Sequence, residues 1–166
     1  VETAPTTWEE VMTVGRELVE AGETTYVMAV TGTTYDAYPL FTSLGGYIFG
    51  QDEAGNWNPE DLGIDSEGMI AGVQWLADGV ANGDFPADWD WANNHALFET
   101  GEAPFIMAGP WALGRLRESG IPYAIANFPD GGYPFAGTQG FFINAQSDNV
   151  LLAQAFLSEF IASVDT

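Results

Sequence analysis

Two short stretches, Thr25-Tyr-Val-Met-Ala-Val30 and Pro104-Phe-Ile-Met-Ala108, are apolar at successive positions rather than at alternate ones. A strand with one wet face alternates apolar and polar residues, whereas a run apolar on both faces needs cover on both. The two runs therefore predict strands inside a sheet that carries helices on each side. Helical patterns precede and separate them, so the predicted class is α/β, with a mixed, mainly parallel sheet flanked by helices.

The helices announce themselves by caps. Thr7-Trp8-Glu9-Glu10 is a capping box after Pro5, and Trp8, Val11, Met12, Leu18 and Val19 recur at helical spacing until Gly22. A second helix is expected from Tyr35 to Leu44, ending at Gly45-Gly46. Tyr47-Ile-Phe49 and Trp57 flank the polar turn Glu53-Ala54-Gly55-Asn56, as in a hairpin. Asp65 or Ser66 can cap a longer helix with Met69, Ile70, Val73, Leu76 and Val80 as its apolar face and Asn82-Gly83 as its stop. After a Pro- and Trp-rich loop through Trp91, a short helix carries His95 and Phe98. Pro110 suits the first turn of a helix running on from Trp111 toward Arg117. Tyr123–Ala126 and Gly140–Ile143 are further strand candidates, and a last helix from near Ser147 is expected to bury Leu151, Phe156, Leu157, Phe160 and Ile161.

Charge narrows the partners. The 166 residues hold 24 acids against Arg16, Arg115 and Arg117, with a formal net charge of −21. Nucleic acid and an anionic membrane surface would both be repelled, leaving a neutral or cationic ligand favoured. Most of these carboxylates are read as a solvated, self-repelling surface. No run reaches the roughly 18–20 apolar residues that cross a bilayer. The absence of cysteine excludes disulfides and thiolate chemistry and leaves the redox compartment open. The chain starts at Val1-Glu2-Thr3 without a basic and apolar leader, so any signal peptide would belong to a longer precursor.

Reactive constellations are few. His95 is the single histidine and has no Ser-His-Asp constellation or Cys/His cluster around it in the sequence, so it is read as structural. Gly45-Gly46 and Gly131-Gly132 lack the strand-loop-helix setting of a phosphate cradle, and neither a metal nor a cofactor is expected. Asp88/Asp90 and Glu99/Glu102 could supply the two carboxyls of a glycosidase, which keeps a carbohydrate-active enzyme as the alternative. Among so many acids, the exposed-surface reading of these pairs is preferred.

The aromatics outside the periodic core say more. Tyr35, Tyr38, Trp57, Trp89, Trp91, Trp111, Tyr133 and Phe135 cluster at loop–helix junctions. The C–H face of a pyranose can lie on an indole or phenol ring while polar neighbours hold its hydroxyls. Trp111 stands at a strand-to-helix junction, where open α/β sheets bind ligands and a helix N-terminus presents free N–H groups. Position alone suits core packing and ligand contact equally.

Several ordered segments carry a resemblance: Pro5-Thr6-Thr7-Trp8-Glu9-Glu10; Tyr38-Pro39-Leu40 leading to Gly45-Gly46-Tyr47; Phe98-Glu99-Thr100-Gly101-Glu102 with Ala108-Gly109-Pro110-Trp111; Tyr123 to Pro129; and Pro134-Phe135-Ala136-Gly137 leading to Ile143-Asn144-Ala145. Over nearly its whole length the chain resembles the extracellular solute-binding proteins of sugar ABC importers, maltose/maltodextrin branch. The resemblance implies a type II periplasmic-binding-protein fold whose two lobes close on ligand by hinge bending. It makes 1–166 a single domain, the C-terminal lobe, with the N-terminal lobe and a return segment outside it. It implies an extracellular or periplasmic protein, a lipoprotein where a lipid anchors it, monomeric, that hands a maltodextrin-type oligosaccharide to a membrane permease without chemistry. Trp111 falls on the tryptophan of the family's Gly-Pro-Trp, which stacks on sugar; Tyr35 and Trp91 fall on two further aromatic sugar contacts. Asp36, Gln139 and Phe135 are secondary candidates. Thr33-Thr34 stands where the branch has Glu-Pro, and Asp36 where it has an aromatic, so trehalose or another di- or oligosaccharide stays open.

Overall fold

The computed structural model describes residues 3–162, arranged as two compact units that divide after Phe135. In the first, Val27, Met28, Ala29 and Val30 are all but inaccessible to water, as the apolar run requires. Burial obliges their backbone donors to find partners inside the protein. Val27 N–H donates to Asp84 O at 2.8 Å, Ala29 N–H to Phe105 O at 2.9 Å, and Val30 N–H to Asn94 Oδ1 at 3.2 Å. The two apolar runs meet as a parallel bridge, Ala29 to Ile106. Among the described residues the extended sheet is otherwise one antiparallel pair, β1 (Phe49–Gln51) with β2 (Trp57–Leu62). The hairpin lies where the sequence places it, its turn held by Asp52 Oδ1 accepting from Ala54 and Asn56 N–H, both at 2.9 Å.

Helix α1 (Trp8–Glu20) carries the expected capping box, with Thr7 Oγ1 accepting from Glu10 N–H and Glu10 reaching back to Thr7. Trp8 also donates from its indole to Ser43 Oγ at 2.8 Å and packs edge-on to Trp75, 5.5 Å between centroids. Helix α2 (Thr34–Ser43) starts from Thr33, whose hydroxyl accepts from Asp36 N–H. Ser66 caps α3 (Glu67–Ala81), Asp90 caps α4 (Trp91–Glu99), and α5 (Ala112–Ser119) ends at Gly120 in a left-handed conformation. The core runs through Trp8, Val11, Val27, Met28, Val30, Leu40, Phe41, Met69, Leu76, Phe85 and Met107.

Two expectations about burial are corrected. The packed face of α3 keeps only part of the expected apolar stripe: Met69 and Leu76 are buried and Val80 packs on the core, but Ile70 and Val73 are exposed, and Gly68, Gly72 and Gly79 face inward in their stead. A Cβ on Gly72 would meet the Phe41 ring, and one on Gly79 the Phe85 ring, so the glycines are what let two phenyl groups lie against the helix. In the second unit, α6 (Val150–Phe156) and the wide turn Leu157–Ile161 form where the last helix is expected, but Leu151, Phe156, Phe160 and Ile161 are exposed rather than buried. A segment this short has too little surface of its own to cover an apolar helix face. Tyr123–Ala126 and Gly140–Ile143 are not strands; Ile125 and Phe142 stand in solvent, the latter at 95% exposure. A strand exists only with a neighbour to bond, and neither run has one among the described residues.

The α3 correction has a measurable consequence. Phe85→Ala should cost about 3–5 kcal/mol in urea unfolding, as for a buried phenylalanine. Ile70→Ala, on the face that sequence periodicity marks as core, should stay within about 0.5 kcal/mol.

Candidate functional site

The extended run and α2 are joined by a polar corner that sets the first aromatic. Asp36 is buried, and its Oδ2 accepts from the hydroxyls of Thr31 at 2.6 Å and Thr33 at 2.9 Å. Those bonds fix the first turn of α2 and turn Tyr35 outward, at 46% exposure. Tyr35 lies 5.7 Å from Trp111, tilted at 52°, and 5.1 Å from Phe135, nearly parallel. Phe135 in turn stacks on buried Tyr38 at 3.8 Å. Four rings thus form one cluster, with Tyr38 and Phe135 as its base and Tyr35 and Trp111 at the surface.

Trp111 is 47% exposed and sits at the cap position of α5 with helical dihedrals. Its indole folds back over Gly109, where any side chain would collide with the six-membered ring. The expected free N–H groups are partly used: Ala112 N–H donates to Gly109 O at 3.0 Å and Leu113 N–H to Pro110 O at 3.2 Å. Less hydrogen-bonding capacity is left at this terminus than a bare helix start would offer.

Trp91, half-buried, is the first residue of α4 and has no ring contact with Trp111 or Tyr35. Its neighbours are the His95 ring, 4.2 Å away, and the Arg115 guanidinium, 5.1 Å over the indole. Arg115 is held by Glu99 in a two-point pair, 2.7 and 3.0 Å, which connects α4 to the helix that follows Trp111. That pair holds the Glu99 carboxyl below its ordinary range, the Arg115 hydrogen bond outweighing burial. Gln139 is exposed in the second unit. A cavity of about 320 Å³, lined by Trp8, Met12, Arg16, Trp75 and Asp84 among others, shares no residue with the ring cluster. The cluster is an exposed platform, not a pocket.

The carboxylate pairs have local work. Asp90 Oδ1 caps α4 through Asn93 N–H, Asp88 Oδ1 accepts from Asp90 N–H, Glu99 holds Arg115, and Glu102 Oε1 accepts from Thr100. Among the described residues no group of three or more His, Cys, Asp or Glu is placed to hold a metal. Sequence reasoning missed Arg115 and Glu99 as supports of Trp91, although their i, i+16 spacing across the Gly-Pro-Trp turn carried no local signal.

The family model for bacterial extracellular solute-binding proteins matches residues 1–164. The chain belongs to that family, whose members act outside the cytoplasm. It is 32% identical over 145 residues to a galactooligosaccharide-binding protein of Bacillus subtilis, covering 82% of this chain and 34% of the relative. It is 26% identical to a maltooligosaccharide ABC transporter solute-binding lipoprotein of Streptococcus pneumoniae, covering 87% of this chain and 35% of that protein. A maltotriose-binding protein of Pyrococcus abyssi is 24% identical, over 94% of this chain and 35% of its own length. The chain therefore spans about a third of the relatives it matches. All three are named for binding an oligosaccharide or a solute, none as an enzyme. Among the described residues no helix is long and apolar enough to cross a membrane.

Two outcomes are expected. Gly109→Ala should lift the Trp111 indole into solvent and red-shift tryptophan emission, whereas Gly114→Ala, with open space around it, should leave emission unchanged and add up to about 1 kcal/mol of helix stability. Because the folded Glu99 carboxyl is lowered from 4.5, its contribution is complete above that value and is lost as pH falls through the lower folded value. Glu99→Gln should flatten that part of the acid unfolding curve.

Proposed function

We propose that the chain forms one wall of the ligand site of an oligosaccharide-binding protein that serves an ABC importer, with Trp111 and Tyr35 as the rings a sugar lies on. The observation that carries this reading is the pair itself: two large rings, each nearly half exposed, backed by a second layer of rings and held by Gly109 and the Thr31–Asp36–Thr33 corner. Exposing two such rings forfeits burial, and a ligand with apolar C–H faces restores it. Trp91, with Arg115 across it, is the third contact. Phe135 backs Tyr35, and Asp36 fixes the turn beneath it.

In this proposal the opposing wall of the cleft comes from residues outside this chain, since the relatives are about three times as long. The lobes close on the sugar, and the closed form docks on the permease. The protein is monomeric, and its one attachment to the membrane is a lipid anchor or the permease. The ligand is a neutral oligosaccharide of the maltodextrin type. The galactooligosaccharide-binding relative makes a galactooligosaccharide the second reading.

Calorimetry of the full-length protein with maltotriose, trehalose and galactotriose tests this. One of the three should bind, and Trp111→Ala should weaken it by about 1.5–3 kcal/mol, roughly 10- to 150-fold. No heat with any of them would sink the oligosaccharide reading. Binding of galactotriose alone would replace maltodextrin with galactooligosaccharide.

A further inference from the structure

His95 is completely buried, yet neither ring nitrogen has a hydrogen-bond partner; Asp36 Oδ1 is likewise buried and without one. Among the described residues only Thr24 Oγ1 shares that condition. Buried polar atoms are nearly always bonded, so three unpartnered atoms on two residues call for a reason. Both residues stand directly beneath proposed sugar contacts. His95 lies one helical turn from Trp91 with its ring against the indole, and Asp36 follows Tyr35 in the first turn of α2.

We propose that His95 is a positioning residue for the sugar site: its neutral ring seats Trp91, and a proton on it unseats the indole and weakens binding. The proposal rests on the oligosaccharide reading of that site. The charged groups acting on His95 are Arg115 from α5, Glu99 on its own helix, and Asp36 from α2. Burial is the largest influence, and Arg115 adds to it; together they outweigh the two carboxylates and hold the imidazole below its ordinary value of 6.5. At neutral pH the ring is therefore uncharged and is kept in place by packing alone. Protonation makes both nitrogens donors and sets a second cation beside the guanidinium that already lies over Trp91. Both Glu99 oxygens already accept from Arg115, while Asp36 Oδ1 is a buried acceptor without a partner. A charged His95 is drawn toward it and away from Arg115, and the indole that rests on the ring loses its support.

The sign follows from linkage. The unfolded chain takes up this proton at a higher pH than the folded one, so acidification below about 6.5 costs stability; affinity, where ligand needs the neutral form, is lost as pH falls through the lower folded value. One linked proton limits the loss of affinity to about tenfold per pH unit.

The experiment is a titration of the full-length protein from pH 7.5 to 5.0, reading tryptophan emission without sugar and the Kd for maltotriose and galactotriose, in wild type and His95→Gln. The wild type should lose both affinity and its neutral-pH emission in one transition, and His95→Gln should flatten both. Should His95→Gln fail to fold, Asp36→Asn is the second variant; removing a carboxylate that favours the imidazolium should move the transition to lower pH. A wild-type Kd that does not change with pH overturns the proposal, as does a His95→Gln slope equal to wild type or an Asp36→Asn midpoint that stays put. If neither sugar binds at any pH, the oligosaccharide reading fails by itself. The emission transition then decides separately whether His95 governs Trp91: its loss in the variant supports that role and its persistence overturns it.

Discussion

The segment Val27–Val30 is the constraint on which the rest of the first unit depends. It is an extended stretch with no access to water on either face, and its backbone must bond to protein. Its partners tie α3, the second apolar run and α4 to it, and the last two lead toward the site. Asp84 brings in Phe85 and the base of α3; Phe105 aligns the second apolar run, which ends at Gly109 and Trp111; Asn94 Oδ1 draws α4 inward, with Trp91 at its start. Thr31, at the end of the run, holds Asp36 and so the outward turn of Tyr35. One buried backbone thus sets the positions of three aromatic residues from three different helices and junctions.

Around that backbone the protein uses glycine where a sequence reader looks for leucine. Gly15 faces Val27, Gly72 faces Phe41, Gly79 faces Phe85, and Gly109 lies under Trp111. In each case a neighbouring side chain occupies the space that a Cβ on the glycine would need. The tight approach gives the core its density, and at Gly109 it gives an exposed indole a fixed seat. A ring that is held in place before ligand arrives loses little freedom on binding, which is where a platform gains affinity without added contacts.

The local features were legible in the sequence. A capping box marked α1, a cap residue marked α3, a polar turn marked the hairpin, and Gly-Pro-Trp marked the junction that bears Trp111. Trp111, Tyr35 and Phe135 were singled out one by one, and the structure brings them into one cluster. What could not be read were properties set by a neighbour. Periodicity put Ile70 and Val73 in the core because it counts apolar residues and cannot see that glycines fit closer. Apolar runs at Tyr123–Ala126 and Gly140–Ile143 named residues that want partners, not partners that exist. The Glu99–Arg115 pair and the unbonded His95 depend on helices that meet only after folding.

The central claim is that a sugar lies on Trp111. It is tested most directly by a crystal structure of the full-length protein with a bound oligosaccharide. The account predicts the C–H face of a pyranose within about 4 Å of the Trp111 indole, with Tyr35 at its edge. A sugar bound elsewhere in the protein, with both rings still exposed to water, would contradict it.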